Sequence, residues 1–241
     1  MQNKSHAIAV IPARKGSKRL PGKNILPFAG KPLFVWTVEA ALESGAFEEV
    51  IVSTDIPEAV DWINAHHTEY KTTLRAVNRP EKFAGDTATS MDVLKDLCQS
   101  ENWIGTGVEE IWLLPPTSPF RNASHISQAK SELNDDWDAV ISVTEFHIPV
   151  EWAFRMNENR GLTSVLGVGP LSTGLSRNQN YESAFHPNGA IYGSRLMHFM
   201  EKGNYYAGRI RGFSMARECS IDIDTQQDLI LAEAMFKRGI P

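Results

Sequence analysis

Strand-like apolar runs alternate with helical patterns over the first 144 residues, and this alternation constrains the fold more than any other feature of the chain. Ile8–Pro12 reads as a buried strand. KPLFVWTVEAALESG reads as a helix opened by Pro32 and stopped at Gly45, and EEVIVST as the next strand. A helix over 57–65 and a short strand around Leu74 follow. GDTATSMDVLKDLCQ predicts a helix, EEIWLLP a strand, SHISQAKSEL a helix and DAVISVT a strand. Strands separated by helical stretches of about 10–15 residues imply βαβ units and a parallel sheet. Right-handed crossovers place helices on both faces. The expected class is α/β, a Rossmann-like and mostly parallel sheet.

The rhythm breaks after Thr144. Residues 145–187 carry Trp, Phe, Gly, Pro, Asn and Arg without a clear period, which predicts an excursion from the sheet. Phe146, Trp152 and Phe154 are expected to be exposed there, as an intersubunit contact or as a loop on its own domain. Order returns with the strand NGAIYGS and the helix SRLMHFMEKG. SIDIDTQQDLILAEAMFKRG predicts a strand followed by a capped helix. The organisation expected is therefore a core over 1–144, an excursion over 145–187 and a closing part of the core over 188–241.

Composition narrows the function. A net charge of −5 argues against a nucleic-acid binder, whose basic footprint would dominate the balance. The cations near the start are thus a local feature suited to a small anion. Cys98 and Cys219 are far apart and lack metal-ligand spacing, so two ordinary thiols in a reducing compartment are expected. No run approaches the ~20 apolar residues of a membrane span. The first apolar stretch is too short for a signal peptide. The expectation is a soluble, cytoplasmic protein.

The local feature is IAVIPARKGSKRLPGKNI, where a strand opens into five cations, two glycines, a serine and an asparagine. A Walker A loop needs G-x-x-x-x-G-K-[ST], but Gly16 and Gly22 are one residue too far apart and Asn24 stands at the hydroxyl position. G-x-G-x-x-G is absent, which disfavours a dinucleotide-binding dehydrogenase. What remains is a basic loop at the carboxyl end of the first strand, where open α/β sheets bind ligands. Arg14, Lys18, Arg19 and Lys23 can neutralise a triphosphate, and amides near Gly16 and Ser17 can form an anion nest. Taken alone, the loop is nearly as well read as a solvated basic surface.

Four further blocks each have an ordinary structural explanation. NRPEKFAGDTATS can be a loop and helix cap, LLPPTSPFR a strand stopped by prolines, and AFHPNGAIYG a turn into a strand. In IDIDT, a strand period of two puts Asp222 and Asp224 on one face, about 7 Å apart. The pair is either a solvent-facing surface or a hard-oxygen site for Mg²⁺ shared with phosphate oxygens.

Taken together and in this order, the five blocks resemble the acylneuraminate cytidylyltransferases, over a stretch from Ile8 to about Glu233. The resemblance implies a nucleotidyltransferase fold and a reaction in which a nonulosonic acid attacks CTP and releases pyrophosphate. It implies that Arg14, Gly16, Ser17 and Lys23 hold the triphosphate, that Asn24 and Arg79 contact cytosine, and that Ser90 lies near the nucleotide. Asp222 and Asp224 are implied as ligands of Mg²⁺, for which Mn²⁺ can substitute. Arg14, Lys23 and both aspartates are the expected catalytic set. Arg177 and Asn188 are the expected sugar-binding residues. A homodimer is implied, with the 145–187 excursion exchanged between subunits, and neither nucleic acid nor membrane as partner.

The sugar region departs from the family pattern. Pro115 stands where a glutamine is common, Glu151 where sialic acid enzymes often carry lysine, and His186 in a stretch that tends to have arginine. Sialic, pseudaminic and legionaminic acids all remain open as the sugar. The other readings are activation of 3-deoxy-manno-octulosonate, and a CTP-binding paralogue without turnover.

Overall fold

A computed structural model describes residues 6–83, 85, 88–174, 177, 179 and 181–240. The chain runs β1 (His6–Ala13), β2 (Pro27–Phe28), β3 (Lys31–Pro32), α1 (Leu33–Glu43), β4 (Glu49–Thr54), α2 (Pro57–His66) and β5 (Thr73–Asn78). It continues through α3 (Ser90–Ser100), β6 (Val108–Leu113), α4 (Ala123–Glu132) and β7 (Ala139–Glu145). A small hairpin of β8 (Phe154–Met156) and β9 (Leu162–Ser164) precedes α5 (Pro170–Thr173). The closing elements are β10 (Phe185–Arg195), α6 (Leu196–Lys202), β11 (Ile210–Ser214) and α7 (Gln226–Lys237).

The main sheet has seven strands in the order β11-β7-β10-β6-β1-β4-β5. Only β10 runs against the others. The strand β1 alternates between two cores. Ala7, Ala9, Ile11 and Ala13 face the core shared with α1, α2, α4 and α7. Ile8 and Val10 face the core built with α3 and α6. Helices therefore cover both faces, as the alternation predicts. On β6, the fully buried Trp112 lies beside Gly193 of β10, where an added Cβ would come within 2.4 Å of the indole. Only a glycine lets this pair of strands close over that ring.

From β1 the chain moves outward to β4 and β5, then returns to β6 on the other side of β1. The order reverses at β1, so a crevice opens at the carboxyl ends of β1 and β6, the usual ligand position in open α/β sheets. The basic loop leaves β1 there, Arg79 follows β5, and the 115–118 turn follows β6. Because β10 runs the other way, its beginning, at Phe185–Asn188, reaches the same edge.

Three local expectations are revised. Residues 221–224 are irregular rather than a strand. The Ile223 amide donates to the Thr117 carbonyl (2.8 Å) and the Asp224 amide to Asp228 Oδ2 (3.1 Å), so these donors serve a turn and a cap instead of a ladder. The missing neighbour of β7 is β11, whose IRGFS sequence buries only Phe213 and so carries a weak signal. Trp152 is half-buried, edge-on to Tyr181, whereas Phe146 and Phe154 are exposed as expected. The segment between β7 and β10 adds no strand to the main sheet among the described residues.

Candidate active site

The crevice is a cleft of about 560 Å³ lined by Arg14, Gly16, Ser17, Lys23, Asn24, Arg79 and Ser90, all seven residues expected at a nucleotide. Lys18, Arg19, Thr89, the 115–117 turn and Asp224 complete much of the wall. Five of the lining side chains are cationic and Asp224 is the one carboxylate among them. Such a balance favours a polyanion of small-molecule size.

Local structure explains how each group is held. Gly22 adopts φ 66°, turning the loop so that the Ile25 amide donates to its carbonyl (3.0 Å). Asn24 is buried, and its Nδ2 donates to the Arg14 carbonyl (2.8 Å), which ties the two ends of the loop together. Its Oδ1 is left buried with no partner. Arg79 is also buried, and its Nε has no partner. Burial lowers the Arg79 pKa, Asp55 opposes that shift and Arg14 adds to it. An orphan acceptor and an orphan donor thus line one cleft, and buried polar groups left this way are costly unless a ligand completes them. Ser90 opens α3, whose Thr89–Asp92 capping box fixes the helix start at the cleft wall. This helix begins later than its sequence pattern suggests, and Asp86 and Thr87 lie outside the described residues.

Asp224 takes Lys23 Nζ on Oδ1 and Arg19 Nη2 on Oδ2, each at 2.5 Å. Thr225 and Asp228 form the expected capping box, so the carboxylate sits at the immediate start of α7. Asp222 lies just behind the cleft, accepting a hydrogen bond from Thr117. A Cβ on Gly189 would be 3.6 Å from its Oδ2. Burial raises the Asp222 pKa, the Thr117 hydrogen bond opposes this, and Asp224 adds to it. The residue as a whole is exposed, so this is a recess crowded by protein on one side and open on the other.

Of the two expected sugar residues, Asn188 is buried and Arg177 exposed. Asn188 is buried and its amide is engaged within the protein: Oδ1 accepts from Ser142 (2.6 Å) and Nδ2 donates to Ser220 (2.9 Å). It ties β10 to β7 and to the segment before Asp222. Arg177 is exposed in the excursion and is not among the residues lining its own chain's cleft. Thr117, which no motif singles out, is the direct partner of Asp222. Its only sequence signal was its place in P-T-S-P.

These features define a nucleotidyltransferase-like cleft, and comparison with known proteins gives the family. Residues 8–226 match the family described as Cytidylyltransferase. The chain is 31% identical to a pseudaminic acid cytidylyltransferase of Campylobacter jejuni, covering 95% of this chain and 96% of the relative. It is 32% identical to a CMP-N,N'-diacetyllegionaminic acid synthase of Legionella pneumophila, with the same coverage of 95% and 96%. An N-acylneuraminate cytidylyltransferase of Escherichia coli is 34% identical over 93% of this chain, which spans 51% of that longer relative. The chain belongs to the acylneuraminate cytidylyltransferase family. A solved CMP:2-keto-3-deoxy-manno-octonic acid synthetase complexed with CTP has the same fold, with TM-score 0.67 at 20% identity, covering 98% of this chain and 100% of that one.

Proposed function

We propose that this protein transfers CMP from CTP to a nonulosonic acid, releasing pyrophosphate. The observation that carries the reading is the orphan pair in the cationic cleft. Asn24 Oδ1 can accept from the cytosine amino group while Arg79 donates to a ring acceptor. Arg14, Lys18, Arg19 and Lys23 then take the triphosphate, with the Gly16–Ser17 amides as a nest. The nonulosonate class is supported by the names of the relatives, whereas the octulosonate synthetase supports the fold alone.

In the step itself the anomeric hydroxyl oxygen forms a bond to the α-phosphorus. The bond from that phosphorus to the bridging oxygen breaks, and pyrophosphate leaves with the electron pair. Asp222, its pKa raised, is suited to take the hydroxyl proton. Among the described residues no group of three or more His, Cys, Asp and Glu side chains forms a metal cage. Asp222 and Asp224 still fit Mg²⁺, which commonly combines one or two carboxylates with substrate phosphate oxygens. When bound, Mg²⁺ would offset charge building on the α-phosphate and the leaving group.

Arg177 and the 145–187 excursion are proposed to complete the sugar site of a second copy in a homodimer. Exposed Ile148, Met156, Leu162, Leu166, Val168 and Leu171 give that segment an apolar surface suited to burial. Among the described residues no helix is long and apolar enough to cross a membrane. We place the protein in the cytoplasm, where both buried thiols would stay reduced.

The test is pyrophosphate release from CTP across purified nonulosonic acids, with 3-deoxy-manno-octulosonate alongside. Turnover on at least one nonulosonate and none on octulosonate supports the reading. CTP binding without turnover on any acid would leave a nucleotide-binding paralogue instead.

A further inference from the structure

Arg121 closes the LLPPTSPFR stretch and is 1% exposed. Its Nη1 donates to the carbonyls of Pro115 (3.0 Å) and Ala190 (2.8 Å), and its Nη2 donates to the Thr37 hydroxyl. Its Nε has no partner. All of these acceptors are neutral, and among the described residues no carboxylate lies within ion-pair distance. That is unusual, because buried charges are ordinarily paired. Within the same protein, buried Glu110 meets Lys130 at 3.0 Å and Arg195 at 3.5 Å. An uncompensated buried cation needs a reason to be there.

The groups it grips supply one. Pro115 lines the cleft, and Ala190 follows Gly189, which abuts Asp222. The turn between them is the hub of the aspartate region. Thr117 bonds the Asp222 carboxyl, its carbonyl receives the Ile223 amide, and Ser118 Oγ donates to the Gly189 carbonyl (3.4 Å). The planar fork holds the Pro115 and Ala190 carbonyls on Nη1 and the Thr37 hydroxyl on Nη2, a spread of donors that the single nitrogen of a lysine cannot reproduce. The charge also acts beyond its bonds, since His125 is lowered by burial and further by Arg121.

We infer that Arg121 is a positioning residue for the transfer step: its fork sets the 115–118 turn and β10 against Asp222. This rests on the cytidylyltransferase reading. Wild-type pyrophosphate release tests that reading, whereas the ratio of variant to wild type tests Arg121.

The experiment compares Arg121→Lys, Arg121→Met and Thr37→Val, with folding followed by circular dichroism and thermal melts. Arg121→Lys keeps the charge and loses the fork, so kcat should fall at least about tenfold while the CTP dissociation constant moves less than about threefold. Arg121→Met also loses the charge. Its kcat should fall at least as far as that of Arg121→Lys, again with the CTP dissociation constant little changed. Thr37→Val lies outside the cleft, removes the bond from Arg121 Nη2 and the hydroxyl's own bond to the Pro115 carbonyl (3.5 Å), and should lower kcat in the same direction, more weakly, with KM for CTP unchanged. Folded Arg121 variants with wild-type kcat would overturn the inference. So would kcat losses that merely follow the loss of folded protein. If neither Arg121 variant folds, Thr37→Val decides, and wild-type kcat in that variant overturns it.

Discussion

Lys23 Nζ and Asp224 Oδ1 stand 2.5 Å apart although 201 residues separate them in the chain. Arg19 takes the other oxygen of the same carboxylate, and Arg19 is 68% exposed. Exposed pairs of this kind contribute about 0–1 kcal/mol, so stability is a poor reason for the arrangement. On the proposed reading a triphosphate would offer both cations a stronger partner, and their departure would free Asp224 for a metal ion. The Arg14–Lys23 loop would then couple nucleotide entry to completion of the proposed Mg²⁺ site.

From this follows a separation of binding and chemistry. Asp224→Asn should fold with a melting temperature close to wild type and bind CTP at least as well, because Lys23 and Arg19 are released. Its kcat should fall by about a hundredfold or more, the scale of one lost electrostatic stabiliser. EDTA should abolish wild-type turnover until Mg²⁺ or Mn²⁺ is returned. Calorimetric titration of CTP beside a pyrophosphate assay reads both halves. Full turnover of the variant in EDTA would remove the metal from the mechanism.

Asp222 should reveal itself through pH and stability. Its carboxyl is raised in the folded protein, mainly by burial. A group raised on folding stabilises the fold below its unfolded pKa, and that contribution is lost as pH rises through the folded value. At neutral pH the ionised carboxylate is therefore a net burden on the empty protein. Asp222→Asn should raise the ligand-free melting temperature at pH 7 while abolishing most turnover, and the gain should vanish toward pH 3. A lower melting temperature at pH 7 would contradict the sign.

Base selection follows from the two orphan atoms. UTP would present a carbonyl to Asn24 Oδ1 and a ring N–H to Arg79, two like-to-like contacts. Each unmet buried group costs about 1–3 kcal/mol, so CTP should be favoured over UTP by at least about tenfold in kcat/KM. Arg79→Met should erase much of that preference. Preference within twofold in the wild type would move the base elsewhere in the cleft.

The basic wall of the cleft was legible because residues 14–24 are contiguous in sequence. A strand ending in Arg14–Asn24 brings cations and amides together without help from distant segments. The alternation of IDIDT also survived, with Ile223 fully buried and Asp222 exposed, although no ladder forms there. What escaped depends on tertiary encounters. Thr117 meets Asp222, and Arg121 meets Thr37 and Ala190, only once β6, β10 and α1 are packed. The bonds of Asn188 to Ser142 and Ser220 are likewise tertiary, and nothing in its local sequence records them.

The sugar preference is expected to depart from N-acetylneuraminate. Pro115 brings no side-chain donor to the cleft, and its carbonyl is already occupied by Arg121. Glu151 Oε2 is buried without a partner, so an incoming donor would be favoured there and a carboxylate repelled. Across a panel of nonulosonic acids, N-acetylneuraminate should not show the highest kcat/KM. If it does, neither substitution shapes the sugar pocket.

Assembly is the remaining prediction, and the excursion supplies its argument. Ile148 is 50% exposed, Met156 67% and Leu166 50%, a density of bare apolar side chains that a solvated loop seldom carries. Beside them Glu151 Oε2 and Trp152 Nε1 are buried and unpartnered, as at a surface finished by something outside the chain. A second copy would cover the patch, and a stable interface needs about 1,200–2,000 Å² in total. Light scattering at micromolar concentration should therefore give the mass of two chains. A charge placed in the patch, as in Met156→Asp with Leu166→Asp, should give a folded monomer. Because Arg177 does not line its own cleft, that monomer should still bind CTP but turn over the sugar acid at least about tenfold more slowly. A monomeric wild type would refute the assembly, and a fully active monomeric variant would return the sugar site to a single chain.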